Sequence, residues 1–341
     1  MNQAIQHFPP AYFALVMATG ILSLAAKELR LDAIAEGLFY VNLVAYPLCV
    51  VLLLARAVLA FRVLWTELTS PATGPLFLAF VPATALVGSQ VLQLRHQPAL
   101  SQALWVAALV GWAVLGYAFL LGVSTAPEKP GLAKGINGGW LLLVVATEAL
   151  AVLGAKLVPT WAGPADVGVL ATAGAFLLGA LLYVVLITLL VYRLTFLPLD
   201  EEEVGAAYWI SVGASAITVL AGGTLVQTVQ ATHVLADLLP FVKGLSLLFW
   251  AVSTWWIPLV AGLRLWTHLR TRPAFAYSPA YWGMVFPLGM YTAATLRLAQ
   301  ALPLPALKAV PTYFIYVALG AWLLTAGGML GHFLAPAKAS A

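Results

Sequence analysis

The sequence predicts an all-α integral membrane protein with ten transmembrane helices, and three observations predict it. The 341 residues are 63% hydrophobic and 8% charged, whereas an ordinary soluble domain is about 45–50% apolar and about 25% charged. No soluble fold hides that much apolar surface. Ten stretches reach the ~20 mainly apolar residues that a helix needs to cross the hydrocarbon core. The 28 glycines and 21 prolines, in so apolar a chain, point to packed or interrupted membrane helices rather than disorder.

The expected spans run from Phe8 to Ala26, Ala35 to Leu59, Pro75 to Leu94, Ala103 to Val123, Ile136 to Ala155, Val169 to Tyr192, Tyr208 to Gln227, Leu238 to Trp266, Pro279 to Ala299 and Pro311 to Phe333. They fill the chain, so residues 1–341 read as a single transmembrane domain. The N-terminus lacks a basic n-region and a small-residue cleavage site before its first apolar run, so that run is expected to stay as a helix. An even count puts both termini on one side. Short inside loops favour Lys and Arg, and the densest basic cluster, Arg264, Arg270 and Arg272, stands at the end of the eighth span and in the loop after it. That places both termini in the cytoplasm, at a plasma membrane or, in a Gram-negative cell, the inner membrane. The acidic run Asp200 to Glu203 in another inside loop does not oppose this, because acids contribute little to the rule.

Several function classes fall away. The lone cysteine, Cys49, supports neither a disulfide framework nor a thiolate cluster. The histidines, His7, His96, His233, His268 and His332, stand near segment ends without metal-site spacing. No phosphate loop, G-x-S-x-G or H-E-x-x-H occurs. Neither a cofactor nor a metal is expected, and the net charge of +4 reads as interfacial anchoring in the lipid bilayer, not as a nucleic-acid footprint. A membrane-embedded enzyme would cluster His, Asp or Glu at the membrane face, and this chain does not; transport is the expected class.

Gly, Pro, Ser, Thr, Asn and Gln favour the odd-numbered spans. Such residues let backbones approach or face a cavity, so the odd spans are the expected walls of a central path. The seventh is the extreme case, with Ser211, Ser215 and Thr218. The third adds Thr84 and Gly88, the ninth Gly289 and Thr292, and the first Thr19 and Gly20. Glu148 falls midway through the fifth span, where a carboxylate is costly and marks a functional site by default. A proton-carrying role and a neutral hydrogen-bonding strut both remain open for it. Arg297 and Lys243 are the basic residues nearest the apolar spans, placed either to draw anions into a vestibule or to snorkel to the headgroups.

Four strings, F-P-P-A-Y-F-A-L-V-M-A-T-G-I (Phe8 to Ile21), Y-W-I-S-V-G-A-S-A-I (Tyr208 to Ile217), W-W-I-P-L (Trp255 to Leu259) and F-P-L-G-M-Y-T-A-A-T (Phe286 to Thr295), resemble in order the tellurite-resistance/dicarboxylate transporter family. That family includes bacterial tellurite-resistance proteins, yeast malate and sulfite transporters, and plant guard-cell slow anion channels. The resemblance implies five helical hairpins around a central pore lined by the odd helices, in a homotrimer with one pore per subunit. It also implies that a ninth-helix phenylalanine plugs the pore, here Phe286. Pro287 suits that role, since proline removes a backbone donor and disfavours helical geometry at the residue before it. The expected substrate is a small anion, with C4-dicarboxylates such as malate or succinate the first choice and an inorganic anion, sulfite or tellurite the alternative.

Overall fold

The computed structural model describes residues 5–6, 8–161, 163–198, 206–271, 277–302 and 304–334. His7, Arg272 and the acidic run Asp200 to Glu203 lie outside the described residues. Ten long helices follow one another: α1 (Phe13–Glu28), α2 (Asp32–Leu59), α3 (Phe80–Arg95), α4 (Pro98–Thr125), α5 (Leu142–Leu157), α6 (Ala165–Phe196), α7 (Ile210–Thr232), α8 (Leu239–Thr271), α9 (Trp282–Ala301) and α10 (Pro305–Leu334). No strand occurs among the described residues.

Each expected span falls on one of these helices. Nine of them, with the turns that lead into them, are long and apolar enough to cross a membrane. The exception among the ten is α9, in which Arg297, Gln300 and a run of Thr, Gly and Pro dilute the apolar residues. The even-numbered helices overrun their expected ends: α4 starts at Pro98 and α10 at Pro305. Proline suits the first position of a helix, where its missing N–H has no partner to lose. The segment Phe61–Leu68, a short helix after α2, was not expected because it is too short to span. It buries Leu64 and Leu68 and leaves Phe61 and Trp65 exposed and stacked on each other, a two-faced pattern suited to the membrane interface. Arg56 of α2 ties it down through Glu67 (2.6 Å).

Successive helices pair into five hairpins, α1–α2, α3–α4, α5–α6, α7–α8 and α9–α10. The odd helices touch one another in the order α1, α3, α5, α7, α9 and back to α1, so they form a closed inner ring. The even helices lie outside it. Burial separates the two sets: 78–100% of each apolar window on α1, α3, α5 and α7 is buried, against 11–33% on the even helices, and α9 is likewise mostly buried. Outer-helix side chains such as Leu181, Val58 and Leu324 are exposed, as expected where lipid is the solvent. The polar bias of the odd spans and their burial have one cause. A helix walled in by others needs small side chains for close approach, and it buries whatever hydroxyls it carries.

Candidate functional site

All five inner helices are entered through a 3-10 turn: Pro10–Tyr12, Gly74–Ala79, Gly138–Leu141, Ala206–Trp209 and Pro279–Tyr281. These entries surround a cavity of about 360 Å³. Its walls are Ala11 and Ala14, Leu76 and Ala79, Ile136 and Asn137, Ala207, and Ala280 and Gly283, so every inner helix contributes. Lys134 and Arg193 also line it, and no acid does among the described residues. Lys134 is exposed at the rim. Arg193 comes from the outer helix α6 and is held by the Ala133 carbonyl (2.7 Å) and by the Tyr208 hydroxyl. Asn137 fixes its own loop: its side-chain oxygen accepts from Gly139 N (2.8 Å) while its amide donates to the Ala72 carbonyl (3.2 Å).

The floor of this vestibule is apolar: Met17, Leu142, Ile210 and Phe286. The Phe286 ring is 2% exposed and lies on Gly213 of α7. A Cβ there would stand 3.1 Å from Phe286 Cε1 and 3.1 Å from Pro287 Cγ, so glycine supplies the shelf on which the ring rests. One expectation needs correcting. Phe286 keeps helical geometry, because α9 runs unbroken through Pro287. Proline there removes the bond to the carbonyl four residues back, that of Gly283, and crowds it; Gly283 lines the vestibule. The helix face and the Gly213 shelf aim the ring; a backbone break does not.

The predicted small and polar residues are all buried, and their contacts are as follows. Thr19 accepts from Trp322 Nε1 of α10 (2.9 Å), Thr84 from the Tyr46 hydroxyl of α2 (3.1 Å), and Ser215 from Ser253 of α8 (2.7 Å). Thr218 and Thr292 donate to the backbone of their own helices, at the carbonyls of Ala214 and Leu288, and Ser211 to the Tyr208 carbonyl in the turn that leads into α7. Three of the glycines stand where inner helices touch: a Cβ at Gly20 would meet Leu86 of α3 at 3.2 Å, at Gly88 Leu153 of α5 at 2.7 Å, and at Gly289 Ile21 of α1 at 2.9 Å.

The hydroxyl contacts belong to a repeat. Each outer helix sends an aromatic donor to the next inner helix: Tyr46 to Thr84, Trp112 to Thr147 (2.9 Å), Tyr183 to the Ser211 carbonyl (3.3 Å), Trp250 to Thr295 (3.1 Å) and, closing the circle, Trp322 to Thr19. Five seams of one design join five hairpins. An indole or phenol donor in hydrocarbon needs a partner, and an inner-helix hydroxyl or carbonyl provides one.

Glu148 does not join these seams. It is fully buried beside Thr218, its carboxylate oxygens make no close hydrogen bond with the described residues, and its end lies against Gly179 of α6. Lys243 stands half-buried on the outer helix α8 and forms no ion pair among the described residues. Arg297 is 8% exposed near the end of α9, paired with Glu28 of α1 (2.5 Å).

The sequence profile of the voltage-dependent anion channel family matches residues 7–330. The chain belongs to that family. It is a multi-pass integral membrane protein, and the match bears out the resemblance carried by the four strings, whose family includes slow anion channels. An uncharacterized membrane protein of Mycobacterium tuberculosis is 37% identical over 154 residues, covering 45% of this chain and 78% of the relative. Two uncharacterized transporters of Methanocaldococcus jannaschii are 23% and 24% identical, over 85% and 86% of this chain and 83% and 86% of their own lengths.

Within this anion-channel fold, the sequence left several vestibule residues unmarked. Lys134 and Arg193 read as ordinary loop and helix-end charges, and only the folding of the loop before α5 and the end of α6 over the ring brings them to the cavity. Met17, Leu142 and Ile210 are apolar residues among many. Their common signal is position, at or just past the start of an inner helix.

Proposed function

We propose that this chain conducts small anions along the axis of its inner ring, with the vestibule as one mouth and the Phe286 ring as the plug beneath it. The carrying observation is the convergence of five inner-helix entries on a cavity that holds two cations and no acid among the described residues and ends on an aromatic ring. Each helix N-terminus carries a partial positive charge of about half a unit. Five of them around one cavity favour an anion over a cation without a dense ring of basic side chains. The apolar floor offers an ion nothing to replace its hydration, so a closed plug blocks flow both by size and by energy.

The walls beneath the plug are proposed to be the inner faces of all five odd helices, including hydroxyls such as Thr292 and Thr218, with α9 as the tenth span. Family resemblance supports C4-dicarboxylates such as malate as cargo and an inorganic anion as the alternative. It also supports a homotrimer with one path per subunit. The vestibule is proposed to open to the cytoplasm, because the basic residues Lys134, Arg264 and Arg270 gather at that end of the hairpins. The whole chain acts as one transmembrane unit and carries out no covalent chemistry in this reading.

The test is efflux from proteoliposomes loaded in turn with malate, succinate, sulfite, nitrate and chloride, with and without a pH gradient. Flux of at least one of these anions above protein-free liposomes supports the proposal. Flux of none, from folded wild-type and folded Phe286→Ala protein alike, overturns it. Dependence on the pH gradient separates proton-coupled transport from passive conduction.

A further inference from the structure

The inner ring is closed by charge at its other end. Arg297 of α9 reaches the last residue of α1, with Nη2 2.5 Å from Glu28 Oε1, and donates through Nη1 to Gln227 of α7. Gln227 donates in turn to Gln300 of α9 (2.9 Å). Room for the arginine stem comes from Gly223, where a Cβ would stand 2.7 Å from Arg297 Cγ. Lys156 stands in the last turn of α5, where the Ala155 carbonyl accepts from Thr228, the neighbour of Gln227 on α7 (3.0 Å), and Lys156 makes no hydrogen bond or ion pair with the described residues. Four of the five inner helices therefore send a polar group to this mouth.

The cluster holds two cations and one carboxylate, and it is incompletely bonded. Glu28 Oε2 and Arg297 Nε are both buried without a hydrogen-bond partner among the described residues. Helix C-termini favour cations and disfavour acids, which accounts for Lys156 and Arg297 but not for Glu28. The carboxylate is there because Arg297 holds it. A guanidinium fork takes a carboxylate or another oxyanion with the same geometry, while an ammonium acts as a compact point charge beside it.

We propose that Glu28 is a tethered anion which occupies Arg297 and shuts the far mouth, and that a permeating small anion takes its place, held between Arg297 and Lys156. This rests on the anion-conduction reading and adds to it a second gate and a binding site. Unlike the Phe286 plug, this gate responds to the cargo itself, because the cargo competes with it.

The sign of the mutational effects tests the proposal. Glu28→Gln, Arg297→Gln and Lys156→Gln are made in the full-length protein carrying Phe286→Ala, and chloride and malate efflux is measured against concentration. Melting temperature in detergent with and without each anion gives a second readout. Glu28→Gln is expected to lower the half-saturating anion concentration about fivefold or more, since it removes an internal competitor, and to enlarge the stabilisation by added anion. Arg297→Gln is expected to abolish both responses. Lys156→Gln is expected to raise the half-saturating concentration while leaving the anion-free melting temperature unchanged. Glu28→Gln and Arg297→Gln shifting flux and anion response in the same direction, as partners in a structural strut would, overturns the proposal, and so does a Lys156→Gln protein with wild-type anion dependence. If the Phe286→Ala protein conducts and these signs fail, the latch falls and conduction stands. If Phe286→Ala conducts nothing, conduction by this path falls, and the melting-temperature readout alone decides whether the anion site exists.

Discussion

Gly179→Ala measures how Glu148 sits in the bundle. A Cβ at Gly179 of α6 would stand 2.5 Å from Glu148 Oε1, 2.6 Å from Cδ and 2.7 Å from Cγ, closer than carbon atoms tolerate. Glu148 is fully buried, so its side chain has no solvent to retreat into, and α5 and α6 must part or the carboxylate must be forced onto Thr218 and its neighbours. Overpacking of this kind costs about 1–3 kcal/mol. Glu148→Ala deletes all three of the atoms concerned. In that background the added methyl enters space already vacated, and its cost should fall to near zero. The double-mutant cycle therefore predicts a favourable coupling of about 1–3 kcal/mol, at the upper end of what contacting residues show. Unfolding of detergent-solubilised protein by titration with a denaturing detergent, followed by the fluorescence of the 12 tryptophans, gives the four free energies. An equal cost for Gly179→Ala in both backgrounds would refute the placement of Glu148 between the helices of the third hairpin.

Four further outcomes follow. Glu148→Gln should keep the fold, because the amide matches the neutral acid in size; if Glu148 carries a proton the same change abolishes any dependence of flux on a pH gradient, and unchanged dependence leaves it a strut. Trp112→Phe removes one seam donor while Thr147 keeps its bond to the Leu143 carbonyl (2.8 Å), so the unfolding free energy should fall by about 0.6 kcal/mol and at most about 1.7, and a loss of several kcal/mol would contradict the seam's modest role. With Cys49 replaced by serine, cysteines at Met17 or Ile210 should react with water-soluble thiol reagents from the vestibule side while one at lipid-facing Leu181 should not, and equal labelling would remove the vestibule from the path. Mass photometry of the purified protein should give a trimer, and a uniform monomer would count against the proposed assembly.

The sequence announced the two rings better than it announced the contacts between them. Residues such as Gly213, Gly223 and Gly289 mark the inner helices because close packing requires small side chains, and that requirement is written locally. The α9 helix was legible as one of the ten mainly apolar stretches, although it is the one not apolar enough to count among the nine candidate spans. The seams were not legible. Thr19 and Trp322 are 303 residues apart, and nothing near either one names the other. The hydroxyls of Thr19 and Thr84 looked like candidates for a pore wall because periodicity cannot say which side of a buried helix faces the axis and which faces an outer neighbour. Glu28 and Lys156 passed for ordinary charges at span ends, since only closure of the ring brings α1, α5, α7 and α9 together at that mouth. Pro287 misled in the opposite direction: an interior proline costs a hydrogen bond and commonly kinks or breaks a helix, yet α9 runs on through it.

Anion flux through the Phe286→Ala protein tests the central claim most directly. The ring borders the vestibule on one side, so its loss costs less than the roughly 3–5 kcal/mol of a fully packed phenylalanine, and the protein should fold and reach the membrane. Phe196→Ala serves as the control, since that ring is 73% exposed at the end of an outer helix. Removing the plug should raise chloride or malate flux well above the wild-type level, with the Phe196→Ala protein indistinguishable from wild type. Flux at the wild-type level from Phe286→Ala protein of normal abundance and fold would contradict a path closed by this residue.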